Sequence, residues 1–234
     1  MSNDASTAAQ EKLREFTYLV SHDLNAPLRS IGSFSNILFN EYRDKFAGEG
    51  LEYLTLIAGE AKRAQDMLQG LLEYSRLDTM AKTATTRIHT QLVFGDCLLV
   101  LKEDIAAAGA SITAVNLPVI QADAEQFMQL LLYLFQNALT FRAPERALLI
   151  RFNIEDKGDH WHGTVTDNGI GIEEPYREKA FVIFRQLHVH GTYPGIGVGL
   201  ALARKIVERH RGKIWIEGNG QEAGITVHFT LAKP

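Results

Sequence analysis

Apolar residues in the first third of the chain recur in steps of three and four: Leu13, Phe16, Val20, Leu24, Pro27, Ile31, Phe34 and Leu38. That spacing lays one apolar seam along a helix. The stretch RDKFAGEG, residues 43–50, breaks the pattern with two glycines and reads as a hairpin turn. A second seam follows at Leu51, Leu54, Ala58, Ala61, Gln65, Leu68, Leu72 and Ser75, in which only Gln65 and Ser75 are polar. The pattern therefore predicts two long helices over residues 8 to about 78. One two-helix hairpin holds too little core to stand alone, so a homodimer that closes a four-helix bundle is expected.

Residues 79–90, TMAKTATTRIHT, are polar, threonine-rich and poorly periodic, and read as a linker. Beyond them the texture changes. Residues 92–110 predict one helix ended by Gly109. SITAV and PVIQAD predict short strands around a turn, and residues 124–141 a strongly apolar helix. Two antiparallel strands are expected over 147–169, joined near Lys157 and Gly158, then a helix over 197–210 and two closing strands, GKIWIEG and GITVHFTL. The expected fold class is α+β: a helical hairpin over residues 1–80, a linker over 81–90, and an α/β layer sandwich over 91–234.

Composition narrows the function. The chain has 234 residues, 46% hydrophobic and 22% charged, as in an ordinary soluble globular protein. A net charge of −4 argues against nucleic acid as the main partner. Cys97 is the only cysteine, so no intrachain disulfide can form; its leucine neighbours place it in a core, and a reduced compartment is expected. The longest apolar run, LLLYLF at 130–135, is too short to span a membrane, and no signal peptide opens the chain; a cytoplasmic location is expected.

Four features carry candidate chemistry. His22 lies two residues from Val20 and two from Leu24, which at about 100° per residue sets it roughly opposite the seam. Asp23 follows, and Pro27 removes the helix bond to the carbonyl of Asp23 and loosens that turn. The plain reading is a surface histidine beside a surface aspartate. The chemical reading is a nucleophilic imidazole whose neighbouring carboxylate fixes the tautomer and takes the proton. TDNGIGI, residues 166–172, sets Asp167, Gly169 and Gly171 in D-x-G-x-G spacing at a strand end. This is either an Asn-Gly turn or a carboxylate aimed at an exocyclic amine with backbone brought close to the ligand. GIGVGLALARKI, residues 195–206, sets Gly195, Gly197 and Gly199 at a helix start. It reads as a flexible loop or as a phosphate cradle. The spacing is neither a dinucleotide-binding fingerprint nor a Walker loop. Asn137, in YLFQNALTFR, stands in an oily helix, either bonded to a neighbouring strand or offering an oxygen to Mg2+.

In this order the motifs resemble the core of a two-component sensor histidine kinase: a dimerisation and phosphoacceptor hairpin followed by a Bergerat-fold (GHKL-type) ATPase domain. The resemblance runs from about residue 10 to 232. SHDLNAPLRSI and YREKAFVIFRQLH look most like the phytochrome-linked branch. It implies that His22 is the autophosphorylated histidine and Asp23 its base. It also implies that Asn137 binds Mg2+, that Asp167 binds adenine within a pocket shaped by Gly169 and Gly171, and that Phe141 lies near the adenine. Gly195, Gly197 and Gly199 then form the loop at the phosphates, and HVHGTYP, residues 188–194, a short lid. ATP and Mg2+ are the implied cofactors. The implied partners are a second copy and a response-regulator receiver, and the upstream sensor module is expected to be absent from this chain.

Three departures stand out. Tyr133 replaces an asparagine that the family usually carries, Thr140 replaces a lysine, and Ala26 stands where phosphatase-competent relatives have Thr or Asn. The first two leave open a catalytically weak dimeric scaffold of the same fold. A chaperone- or mismatch-repair-type ATPase is a third reading, against which the His-Asp pair of the hairpin counts.

Overall fold

The computed structural model describes residues 24–46, 48–79, 85–188, 192–219 and 223–233. The chain divides into two compact units, Met1–Thr79 and Met80–Pro234.

In the first unit, helix α1 is described over residues 24–42, and a 3-10 turn at Arg43–Lys45 leads into α2, Glu49–Thr79. Gly48 takes the turn at φ +55, a conformation cheap only for glycine. The seam expected on α2 faces inward: Leu54 and Ala61 are buried, and Leu68 and Leu72 are half-buried. The seam expected on α1 does not. Leu24, Ile31, Phe34 and Leu38 are all exposed, and the buried positions of α1 are Gly32 and Ser35. Small residues let the helices approach closely: a Cβ on Gly32 would come 2.9 Å from Nε2 of Gln65. Gln65, polar within its seam, donates to the Leu28 carbonyl at 3.1 Å, so its amide is satisfied by the opposite helix.

The second unit is a five-stranded sheet with helices on one face. The strands are β2 (Ser111–Val115), β4 (Leu149–Asp156), β5 (His160–Asp167), β6 (Ile214–Gly218) and β7 (Ile225–Ala232), in the order β2-β4-β5-β7-β6. Only β2 and β4 run parallel. Alternation fixes the register: Ile150, Phe152 and Ile154 of β4 and Ile225, Val227, Phe229 and Leu231 of β7 are buried. Gly163 of β5 pairs with Phe229, and the missing side chain is what admits that ring, since a Cβ there would lie 2.1 Å from it. Helices α3 (Thr90–Val100), α5 (Ala124–Thr140) and α7 (Gly199–Arg209) supply the other layer, with α5 packed between α3 and α7. Phe94, Phe135 and Phe152 meet there with centroids 6.1 Å apart. Cys97 is fully buried.

The structure corrects the sequence reading in three places. The stretch read as a linker is partly folded: Thr86–His89 forms β1, antiparallel to β3 (Val119–Ala122), and Thr90 opens α3. Ile88, the one apolar residue of Thr86–His89, is buried and anchors the strand. The single helix expected over 92–110 is two, α3 and α4 (Lys102–Ala108), broken at Leu101. Leu101 is buried, and Gly109 ends α4 in the left-handed conformation, as expected. The strands SITAV and PVIQA do not pair with each other. β2 joins the large sheet and β3 the small one. A short helix, α6 (Glu174–Arg177), and a 3-10 turn, Glu178–Phe181, complete the unit. Among the described residues no helix is long and apolar enough to cross a membrane.

Candidate nucleotide site

Alternation along β5 places Val165 and Asp167 on the core side of the sheet. Asp167 is the last residue of the strand, so its carboxylate reaches the edge of the core, 7% exposed. Burial pushes its pKa up to about 6, against the opposing pull of the Gly169 and Ile225 backbone N–H groups. The Gly169 N–H donates to Oδ1 at 2.8 Å. Gly169 has no room for a side chain: a Cβ would sit 2.5 Å from the Phe141 carbonyl oxygen. From the other side Gly224 comes so close that its Cβ would lie 2.0 Å from the Asp167 carbonyl, at φ +101. That same carbonyl accepts from Nδ2 of Asn219 at 2.8 Å. Asp167 is thus fixed by its own turn and by the loop between β6 and β7.

Helix α5 supplies the opposite wall. Its N-terminus is capped by Asp123, whose Oδ1 accepts from the Gln126 N–H at 3.0 Å. Three and a half turns later Asn137 is half-buried and lines the cavity. Among the described residues its amide has no hydrogen-bond partner, so the structural bond to a strand is not made. Phe141 caps the helix, with its ring 5.6 Å from that of His188 and 5.0 Å from that of Tyr193.

The third wall is the glycine stretch. Gly197, at φ +75, lies against the Arg185 backbone, where a Cβ would be 2.8 Å from the carbonyl oxygen, and its own carbonyl accepts from the Phe184 N–H at 2.9 Å. Gly195 adopts φ +106 in open space, its carbonyl bonded to Gln186. Gly199 is the first residue of α7, beside the Tyr133 ring, with the nearest ring atom 3.8 Å from an added Cβ. The residue before it, Val198, supplies no side-chain cap, which leaves first-turn N–H groups and the positive end of α7 facing the cavity.

These walls enclose one cavity of about 560 Å³. Of the residues singled out from the sequence, Asn137, Phe141, Asp167, Gly171, Gly195, Gly197 and Gly199 line it together. Gly169 does not; it turns the chain behind Asp167. Two of the three departures, Tyr133 and Thr140, line it as well. His22 and Asp23 lie outside the described residues, as do 189–191 of the lid. Sequence reasoning missed Arg146, Asn219 and Gly224, which hold the Asp167 turn from loops without periodicity. The glycine directly before β7 was the one available signal. A bound divalent ion fits this site: Asn137 offers an unpaired amide oxygen, and a Mg2+ ion takes few protein ligands beside phosphates and water.

Residues 12–79 match the His Kinase A (phospho-acceptor) domain, and residues 122–234 the histidine kinase-, DNA gyrase B-, and HSP90-like ATPase family. Cyanobacterial phytochrome A of Nostoc sp. (strain PCC 7120) is 37% identical over 220 residues, covering 94% of this chain and 28% of that protein. The chain therefore spans less than a third of that relative. Full-length ShkA in complex with AMPPNP superposes with a TM-score of 0.70 at 20% identity, covering 94% of this chain and 46% of that one. Histidine kinase ThkA in complex with response regulator protein TrrA gives 0.64 at 21% identity, covering 97% of this chain and 66% of that one. With a phosphoacceptor domain followed by a kinase-type ATPase domain, and phytochromes among its relatives, the chain belongs to the sensor protein histidine kinases.

Proposed function

We propose that this chain is an ATP-dependent kinase core that phosphorylates its own His22 and passes the phosphoryl group to an aspartate of a response-regulator receiver. The observation that carries the reading is the convergence of Asp167, Asn137 and the Gly195–Gly199 stretch on one cavity at the N-terminus of α7. The AMPPNP bound by ShkA and the response regulator bound by ThkA support it.

In this reading the Asp167 carboxylate accepts from the adenine amine and Phe141 flanks the ring. The glycine stretch and the free N–H groups of α7 hold the phosphates. Mg2+, held by Asn137 with phosphates and water, supplies charge neutralisation. A ring nitrogen of His22 attacks the γ-phosphorus. An N–P bond forms, the O–P bond to the β-phosphate breaks, ADP leaves, and Asp23 takes the imidazole proton. Residues 1–80 form the phosphoacceptor hairpin, and the ATP-binding domain, expected over 91–234, takes in β1 as well and so runs from about Thr86 to residue 234. The chain works as a homodimer in the cytoplasm, and the exposed apolar face of the hairpin is the support for the dimer.

A second reading, the catalytically weak scaffold, rests on Tyr133 and Thr140, which put a ring and a hydroxyl where the family carries an amide and a cation. The two readings separate on incubation with Mg2+ and γ-labelled ATP. Label lost in acid and stable in base marks phosphohistidine, and the His22→Ala variant is expected to lose it while still binding ATP. A folded dimer that takes no label favours the scaffold; full labelling of His22→Ala refutes the assignment of His22.

A further inference from the structure

The segment leaving α5 and the turn after β5 are laced together. Nε of Arg146 donates to the Asn168 carbonyl at 2.8 Å, and its Nη2 donates to the Gly169 carbonyl at 3.2 Å. Asn168 answers in kind: its Oδ1 accepts from the Leu149 N–H at 2.8 Å, and its Nδ2 donates to the Ala147 carbonyl at 3.0 Å. The Ile170 N–H donates to the Phe141 carbonyl at 3.0 Å. Five bonds thus join residues 141–149 to residues 168–170, and the guanidinium makes two of them from its rigid fork.

Arg146 does not line the cavity. The two carbonyls it grips belong to the residues directly after Asp167, one of which, Gly169, holds Oδ1 through its N–H. The Asn168 carbonyl shares its peptide plane with the Gly169 N–H, so rotation of that peptide would swing the N–H away and leave the carboxylate to the Ile225 N–H alone. The carboxylate is buried, and among the described residues the backbone N–H groups of Gly169 and Ile225 hold it. An arginine side chain 37% exposed, with only a 3.4 Å approach to Glu145 besides, is poorly explained as a surface ion pair. The geometry points to Arg146 as a positioning residue that holds the Asp167 turn in the shape that reads the 6-substituent of a purine. This rests on the nucleotide reading above.

The test uses the purified chain and two probes that differ along that edge of the base: Mg–ATP, with a 6-amino donor and an N1 acceptor, and Mg–ITP, with a 6-oxo acceptor and an N1–H donor. Dissociation constants are measured by calorimetry for the wild type, Arg146→Met and Arg146→Lys. The wild type prefers ATP. Arg146→Met loses about tenfold in ATP affinity, the scale of a lost charge-assisted bond, and keeps its ITP affinity. Arg146→Lys, which keeps the charge but not the fork, falls between them. A merely structural role weakens both nucleotides by one factor, and that result overturns the inference, as does no change in either. Should Arg146→Met not fold, Arg146→Lys decides by the same ratio. A wild-type chain that binds neither nucleotide refutes the nucleotide reading itself, and the role of Arg146 with it.

Discussion

Along α1 the large side chains Leu24, Ile31 and Phe34 are 46%, 48% and 67% exposed, whereas along β7 Ile225, Val227, Phe229 and Leu231 are each 3% exposed or less. Both elements follow the apolar period of their secondary structure. The sheet can roll its apolar face against three helices of its own unit, and each side chain buried there contributes about 2 kcal/mol. A two-helix hairpin has only one internal seam. α2 spends its seam on α1, and α1, facing α2 through Gly32 and Ser35, leaves its larger residues outside. The difference teaches that the sheet unit buries its large apolar side chains on itself, while the described residues of the hairpin leave those of α1 in water, which is the support for the proposed dimer.

The comparison breaks most sharply at the hairpin. Replacing Ile31 and Phe34 by aspartate puts unpaired charges into the face a second copy would cover. The expected result is a dimer weakened by at least about a thousandfold, read by analytical ultracentrifugation, with nucleotide affinity intact. A variant as dimeric as the wild type means the exposed seam is not the contact.

In the sheet unit, Gly163→Val drives a side chain into the Phe229 ring. A cost of about 3 kcal/mol is expected, lowering the melting temperature of that unit by roughly 10 °C while the hairpin still dimerises. Equal losses in both units would show that they unfold as one.

Asp167 gives an effect of about 2–3 kcal/mol, with a sign that depends on pH. Its carboxyl titrates near 3.8 when unfolded and at about 6 when folded. Between those values the folded chain holds a proton that the unfolded chain has released, so this group's contribution to stability declines as pH rises from about 4 to 6. The full penalty remains above pH 6. Asp167→Asn removes it: the variant is expected to be more stable than wild type at pH 7, no more stable at pH 4, and unable to bind ATP. Chemical denaturation at the two pH values, with calorimetry, checks all three.

The smallest effect separates the units without perturbing either. Burial, aided by nearby Asp96, pushes the Cys97 thiol up to about 12, so at pH 8 it carries almost no thiolate. A thiol reagent is expected to react only as the sheet unit unfolds, which turns Cys97 into a probe of that unit alone. Rapid labelling of the native chain would place Cys97 outside the core.

How much of this was legible follows the same division. Strong periodicity gave α2, α5, the β4–β5 hairpin and the two closing strands, because in each a single face is buried. Thr86–His89 was missed because three of its four residues face outward and Ile88 alone anchors it. Leu101 was read through because an apolar residue gives no sign of a helix break. The separation of β2 from β3 into different sheets depends on contacts with strands distant in sequence, to which local pattern is blind. In the site, glycines and an asparagine in oily surroundings stood out as chemically odd. Arg146 did not, since an arginine on a polar loop is what any surface offers.

The exposed face of α1 has a further consequence in time. Synthesis runs from the N-terminus, so the hairpin is complete before the strands that follow it exist. At about 5–20 residues per second, the ribosome needs on the order of ten seconds to make residues 80–234. In a hairpin without a partner Ile31, Phe34 and Leu38 face water. The nearest identical face belongs to the chain growing on the next ribosome of the same message, so pairing between nascent chains would shorten the exposure and favour partners translated side by side.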